Sequence, residues 1–137
     1  MMPKPDLKLR VSAEARVAPS EDPNKVKLAL QRILGESGLE VDESPTRIRA
    51  TTEDAAKLTK LHDQLRDRHV RAAARRLLLS SIEGSTVTLM FNRQAAYAGV
   101  LALCGSEAES PLGPIYVTLE SKQLEDVIEW LTAYETG

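Results

Sequence analysis

The sequence predicts one domain with its own core, folded as a two-layer α+β sandwich in which helices cover one face of a mainly antiparallel or mixed sheet. Three observations support this prediction. Strand-like and helix-like patterns follow each other in the order strand, helix, two strands, one or two helices, three strands, helix. The 137 residues and the 42% hydrophobic content suit a single domain, residues 1–137, with its own core. The single cysteine, Cys104, excludes an internal disulfide and a cysteine-based zinc site, and a chain of this size needs neither.

The first strand and the first helix have the clearest signals. Apolar residues alternate with polar ones from 7 to 17, which is the period of a half-buried strand. Asp22 and Pro23 resemble an N-cap followed by a first-turn proline, and Gly35 and Gly38 should end the helix. Five apolar residues share one face of this predicted helix: Val26, Ala29, Leu30, Ile33 and Leu34.

The middle of the chain predicts two short strands and then two helical stretches. The strands are expected at about residues 39–41 and 47–51, with a turn at Ser44-Pro45. A weak capping box at residues 51–54 predicts a helix that runs to about Leu65. After a break near residues 67–69, a second helical stretch is expected to continue to about Ser81.

The last third predicts three strands and a closing helix. The strands are expected at residues 86–91, 100–104 and 115–119, and Ser121 should cap the helix. The small, alanine-rich residues 92–99 are interpreted as a connecting turn. Residues 105–114 also predict a turn region, in which prolines and a glycine give a rigid entry into the next strand.

Charge is distributed unevenly, although the formal net charge is only −2. Residues 57–93 contain eight Lys or Arg and three Asp or Glu, whereas residues 94–137 contain one and seven. Such a basic segment can mark a surface that meets phosphate, because each neutralised phosphate releases condensed counterions. The alternative is that the charged helices are simply solvated.

Several functional classes find no support in the sequence. There is no phosphate loop, dinucleotide fingerprint, nucleophile elbow or His-Glu-x-x-His motif, and Cys104 lies in an apolar run typical of an inert buried thiol. No apolar stretch is long enough for a signal core or a membrane span. We therefore expect a soluble cytoplasmic protein that is not an enzyme and has no cofactor.

One alternative is a metal-dependent nuclease. His62, Asp63 and Asp67 combine an imidazole with two carboxylates spaced four residues apart. His69 is two helical turns from His62, too far to bind the same ion without help from another element. Neighbouring lysines and arginines offer salt-bridge partners, so we interpret this surface as a solvated helix face without a metal.

Arginines gather on one side of the second helical stretch. At about 100° per residue, Arg68, Arg71 and Arg75 fall within an arc of roughly 60°. A guanidinium presents a planar fork of donors that fits phosphate oxygens and stacks on bases, so this arginine ridge predicts contact with RNA. The ridge would also fit an acidic protein partner, including the acidic C-terminal part of a second copy.

Gln94 and Tyr97 add a potential hydrogen bond and a stacking ring among small residues. Several motifs accompany them: Glu21-Asp22-Pro23, Lys25-Val26, Ala73-Ala74-Arg75-Arg76, Arg93-Gln94-Ala95-Ala96-Tyr97 and Pro111-Leu112-Gly113-Pro114-Ile115. In this combination the sequence resembles, over almost its whole length, an archaeal family of small uncharacterised proteins. That family is labelled RNA-binding or linked to the exosome.

The resemblance implies an α+β fold similar to the large-subunit ribosomal protein that contacts the small ribosomal RNA of that subunit, a dimeric state and no enzymatic activity. The matching positions are Arg75, Arg76, Arg93 and Gln94. Two positions depart from the family. Ala72 stands where an aspartate is common, which removes that carboxylate, and Arg93 stands where a lysine is common, which keeps the charge.

The sequence thus predicts a non-enzymatic RNA-binding protein. The predicted nucleic-acid contacts are Arg68, Arg71, Arg75, Arg76, Arg93, Gln94 and Tyr97. The expected partners are RNA, a second copy in a homodimer and an RNA-processing complex. The alternative function is a protein-interaction or homodimerisation module that does not bind nucleic acid.

Overall fold

A computed structural model describes residues 8–35, 39–65, 68–110 and 112–132. Within this part of the chain the strands are β1 (Arg10–Arg16), β2 (Glu40–Ser44), β3 (Arg47–Thr52), β4 (Thr86–Phe91), β5 (Leu103–Cys104) and β6 (Ile115–Glu120). The α-helices are α1 (Pro23–Leu34), α2 (Leu58–Gln64), α3 (Arg68–Ser80), α4 (Arg93–Tyr97) and α5 (Leu124–Thr132). Short 3-10 helices occupy Ala55–Lys57 and Glu107–Glu109.

The strands form one six-stranded sheet in the order β2-β3-β1-β6-β4-β5, and every described pair is antiparallel. Alternate residues of the strands are buried, for example Val11, Ala13 and Ala15 of β1. These residues form one core with the apolar faces of the helices. The predicted two-layer α+β class with a mainly antiparallel sheet is confirmed.

The other side of the sheet carries the polar residues of the alternation, and we call it the open face. The first helix and last helix begin as expected, because Asp22 Oδ1 accepts from the amide of Asn24 at 2.9 Å and Ser121 Oγ accepts from that of Gln123 at 2.9 Å. Gly35 ends α1 with a φ of 88°, which a glycine tolerates. Gly38 lies outside the described residues.

Two local predictions were wrong. Residues 92–99 contain a helix rather than a turn, because Asn92 Oδ1 accepts from the amide of Ala95 at 2.9 Å and caps α4. The expected strand at 100–104 shrinks to two residues, since the amide of Val100 bonds to the carbonyl of Ala95 at the end of α4. In the middle of the chain, the helix expected after residue 54 is present as a 3-10 turn followed by α2, and Asp54 Oδ1 accepts from the amide of Ala56 at 2.9 Å.

Candidate nucleic-acid interface

The arginine ridge of α3 does not form one accessible surface. Arg71 is only 5% exposed, and its Nε donates to the carbonyl of Leu65 at 3.3 Å. Arg75 Nη1 lies 2.9 Å from Glu129 Oε2 on α5. Arg76 is exposed, and Arg68 begins α3 with a side chain outside the described part. Helical register predicted a shared direction for these side chains, but only the packing of α3 decides which of them reach solvent.

Arg93 is an interior residue, 1% exposed. Its Nε donates to the carbonyl of Gly113 at 3.0 Å, and its Nη1 donates to the carbonyl of Arg16 at 2.6 Å and to Glu21 Oε1 at 2.5 Å. Its guanidinium is thus held by β1, by the loop before β6 and by a buried carboxylate. The expectation that Arg93 contacts phosphate is therefore corrected. Arg93 is buried in the core and stabilises the end of β1 through the carbonyl of Arg16.

Tyr97 belongs to the same buried network. Its hydroxyl donates to Glu21 Oε2 at 2.5 Å, while the amide of Ala18 donates to Glu21 Oε1 at 2.8 Å. Burial, and then the hydrogen bond with Glu21 and its charge, raise the pKa of Tyr97 to about 12. Burial would raise the pKa of Glu21, but the hydrogen bonds from Tyr97, Ala18 and Arg93 lower it overall. The hydroxyl of Tyr97 is therefore committed to this network, whereas Gln94 is exposed on α4.

The residues of the nuclease hypothesis do not come together as a metal site in the described chain. His62 is 5% exposed and stacks on Trp130 with ring centroids 4.6 Å apart, and its Nδ1 lies 3.7 Å from Oδ1 of the exposed Asp63. Asp67 lies outside the described residues. Among those that are described, no group of three or more His, Cys, Asp or Glu side chains is placed to hold a metal ion.

The uneven charge along the sequence is partly balanced inside the molecule. Basic α3 packs against acidic α5, and the pair of Arg75 and Glu129 links them. Arg75 Nη1 also lies 3.4 Å from Thr132 Oγ1. The acidic partner expected from a second copy is therefore supplied to Arg75 by the same chain.

The open face brings together residues that the sequence analysis did not select. Strand pairing arranges its side chains in rows across the sheet. The first row is Ser44, Arg47 and Arg16; the second is Asp42, Arg49, Glu14, Tyr116 and Met90; the third is Glu40, Thr51, Ser12, Thr118 and Thr88; the fourth is Arg10, Glu120 and Thr86. The alternation in β1 and β3 already implied that these side chains face away from the core.

Positive charge on the open face is concentrated in its first row. The first row carries two arginines and no carboxylate, whereas the second and third rows each carry more acid than base. Arg10 is paired with Glu53 at 3.2 Å, and Arg47 lies 3.6 Å from Glu14. In the described part of the chain, Arg16 and Arg49 have no carboxylate within ion-pair distance.

Tyr116 is half-buried near the middle of the open face. Burial, followed by a hydrogen bond with Glu107 and its charge, raises the pKa of Tyr116, and the positive charge of Arg16 opposes this shift. Arg16 is therefore within electrostatic range of the tyrosine. Together the hydroxyl-bearing third row, the ring of Tyr116 and the arginines could contact sugars, bases and phosphates.

Comparison with known proteins shows which class of protein has this sequence and fold. A family model described as "RNA binding" matches residues 10–121, from the first residue of β1 to one residue beyond β6. The UPF0201 protein of Metallosphaera sedula is 39% identical over 123 residues, which cover 89% of this chain and 86% of that protein. The UPF0201 protein of Aeropyrum pernix is 32% identical over 127 residues, which cover 90% of this chain and 85% of that protein.

The chain belongs to the archaeal UPF0201 family. Solved structures agree with the fold. The crystal structure of the UPF0201 protein from Methanococcus jannaschii is 25% identical, has a TM-score of 0.74 and covers 93% of this chain and 96% of that one. Another UPF0201 crystal structure is 20% identical, has a TM-score of 0.76 and covers 93% of this chain and 97% of that one. Neither the family description nor these names state a catalytic activity.

No helix in the described ranges is long and apolar enough to cross a membrane. The similarity to a ribosomal protein and the exosome link, which the sequence resemblance implied, stay predictions. So do the homodimer, the RNA-processing complex and the cytoplasmic location.

Proposed function

We propose that this protein binds RNA, without chemical turnover, through the open face of its sheet. The observation that carries the proposal is the match of the RNA-binding family model to residues 10–121, which contain every described strand. The geometry supports the open face as the surface. It presents hydroxyls, an aromatic ring and uncommitted guanidiniums side by side, and these are the groups that single-stranded RNA contacts.

Arginines of the open face supply the attraction for phosphate in this proposal. Arg16, Arg47 and Arg49 occupy adjacent positions of β1 and β3, and all three are exposed. Each can donate two parallel hydrogen bonds to phosphate oxygens. If about three phosphates are neutralised, the logarithm of RNA affinity should fall with a slope of roughly −2 against the logarithm of salt concentration.

Tyr116 supplies the contact with bases. A base stacked on an aromatic side chain contributes about 1–3 kcal/mol, so Tyr116→Leu should raise the Kd for RNA about fivefold or more. The matched control is Thr86→Ala, which lies on the same face in the fourth row, away from Arg16, Arg47 and Arg49. We expect this control to bind RNA like the unaltered protein.

The test is a titration of fluorescently labelled single-stranded RNA at two salt concentrations, followed by anisotropy. Binding that weakens with salt and is impaired by Tyr116→Leu but not by Thr86→Ala supports the proposal. RNA binding that is absent, or equal in all three proteins, refutes this use of the open face.

A further inference from the structure

One corner of the open face concentrates positive charge in a small depression. It is lined by Arg16, Ser44, Thr46 and Arg47 and has a volume of about 480 Å³. We call these four residues the arginine corner. They come from the end of β1, the end of β2, the two-residue turn and the start of β3, which strand pairing places side by side.

Arg16 and Arg47 are direct partners across antiparallel strands. Like charges at such positions destabilise a sheet, so an unrelieved Arg–Arg pair is unfavourable there. The nearest compensation for Arg47 is Glu14 at 3.6 Å, with side chains 56% and 32% exposed, and such a contact is weak in water. Arg16 has no carboxylate within ion-pair distance among the residues the structure describes. An anion between the two guanidiniums would remove the repulsion.

Three hydrogen bonds hold the backbone of the arginine corner. Arg93 Nη1 donates to the carbonyl of Arg16 at 2.6 Å, and the amide of Val17 donates to the carbonyl of Thr46 at 2.8 Å. Ser44 Oγ donates to the carbonyl of Arg47 at 3.3 Å. A site on such a supported backbone loses less entropy when it binds, because only its side chains have to be ordered.

From this arrangement we infer that the arginine corner binds a single phosphate group between Arg16 and Arg47, with the hydroxyl of Thr46 as a further donor. The two planar guanidiniums match the oxygens of a phosphate, and the carboxylates of the neighbouring rows disfavour a second anion close by. The phosphate could belong to an RNA strand or to a small phosphate compound. This inference deepens the proposed function and rests on it for the RNA source.

Inorganic phosphate is the first probe. The full chain is titrated with sodium phosphate against sodium chloride at matched ionic strength, and the backbone and arginine side-chain NMR signals are followed. We expect saturable shifts at Arg16, Thr46 and Arg47, which disappear in the double variant Arg16→Gln with Arg47→Gln. The matched control Arg10→Gln, at the other end of β1 on the same face, should keep them. Shifts that are absent, or that survive the double substitution, overturn the inference.

Single-stranded RNA is the second probe and distinguishes the two sources. If the phosphate belongs to RNA, the oligonucleotide shifts the same signals, and the double variant raises the RNA Kd about tenfold and reduces the salt slope by roughly one. If inorganic phosphate binds at the corner but RNA binds nowhere, the site takes a small phosphate compound, and the proposed function fails while this inference stands. If RNA binds the double variant with unchanged affinity and salt slope, RNA does not supply the phosphate, and saturable binding of inorganic phosphate at the corner then assigns the site to a small phosphate compound.

Discussion

At the scale of single residues, the most informative group is the buried network of Glu21, Arg93 and Tyr97. It joins the loop after β1 to α4, and through the carbonyl of Arg16 it reaches the end of β1. Arg93 is 1% exposed and the Glu21 side chain 7% exposed, so neither charge is solvated if its partner is lost. Arg93 therefore supports the candidate interface from behind and does not belong to its surface.

Replacing Glu21 with Gln should lower the free energy of unfolding by about 3 kcal/mol, because the buried guanidinium of Arg93 loses its counter-charge. Urea denaturation followed by circular dichroism measures this loss. The matched control is Glu53→Gln, whose carboxylate pairs with Arg10 at 3.2 Å but is 73% exposed. That change should cost less than about 1 kcal/mol. Equal losses in the two variants would contradict a structural role for the buried pair.

The tyrosine of this network predicts a response to alkaline pH. The folded state raises the pKa of Tyr97 from 10.0 to about 12, so folding favours the protonated phenol. The stabilisation is fully present below about pH 10 and is lost as the pH rises toward 12. Tyr97→Phe should be less stable than the unaltered protein at pH 8, and the difference should shrink above pH 10. Urea unfolding of both proteins at pH 8 and above pH 10 tests this. A stability difference that is the same at the two pH values would count against it.

At the scale of the elements, α4 shows how a short helix positions other groups. Its five residues begin at an Asn92 cap, and Arg32 of α1 donates to the carbonyls of Ala96 and Tyr97 at its end. Both ends of α4 are thus satisfied by side chains, which a helix of this length needs because its own hydrogen bonds are few. The helix positions Arg93 and Tyr97 so that both donate hydrogen bonds to Glu21.

Removal of the cap should therefore weaken the fold. Asn92→Ala is expected to lower the free energy of unfolding by about 1 kcal/mol, since Asn92 Oδ1 no longer accepts from the amide of Ala95. Gln94→Ala, at an exposed position of the same helix, serves as the control and should change stability by less than about 0.5 kcal/mol. Thermal and urea unfolding of both variants measure the effect. A loss for Gln94→Ala as large as that for Asn92→Ala would show that the cap is not its cause.

At the scale of the whole molecule, the two layers separate two sets of arginines. Arg75 and Arg76 belong to α3 in the helical layer, whereas Arg16 and Arg49 project from the open face of the sheet. One RNA strand bound across the sheet cannot use both sets as a continuous surface. The layer that binds RNA can therefore be identified by mutation.

Substituting Arg16 and Arg49 together with Ala should raise the RNA Kd about tenfold or more, since two phosphate contacts are lost. The double variant Arg75→Ala with Arg76→Ala removes the same number of charges from the helical layer and should leave the Kd unchanged. Anisotropy titrations at one salt concentration compare the two. The opposite ranking would return the RNA site to α3, as the sequence predicted.

The sequence by itself determined the layers of this protein. The alternation in β1 and the cap at Asp22 depend on neighbours a few residues away, and so do the apolar stripe of α1 and the bounds of β4, so local patterns predict them. One local signal was missed. Asn92 is an ordinary N-cap of α4, but the alanine-rich residues that follow it were interpreted as a turn.

Only the tertiary structure decided which charged side chains face water. Arg93 and Arg16 are far apart in the sequence and both are basic, yet the first is enclosed by β1, Glu21 and Gly113 and the second is exposed at the arginine corner. Register along one helix or strand gives the direction of a side chain relative to its own element. Whether that direction meets solvent, a carboxylate or the core depends on how distant segments pack, and this long-range information is absent from any local pattern.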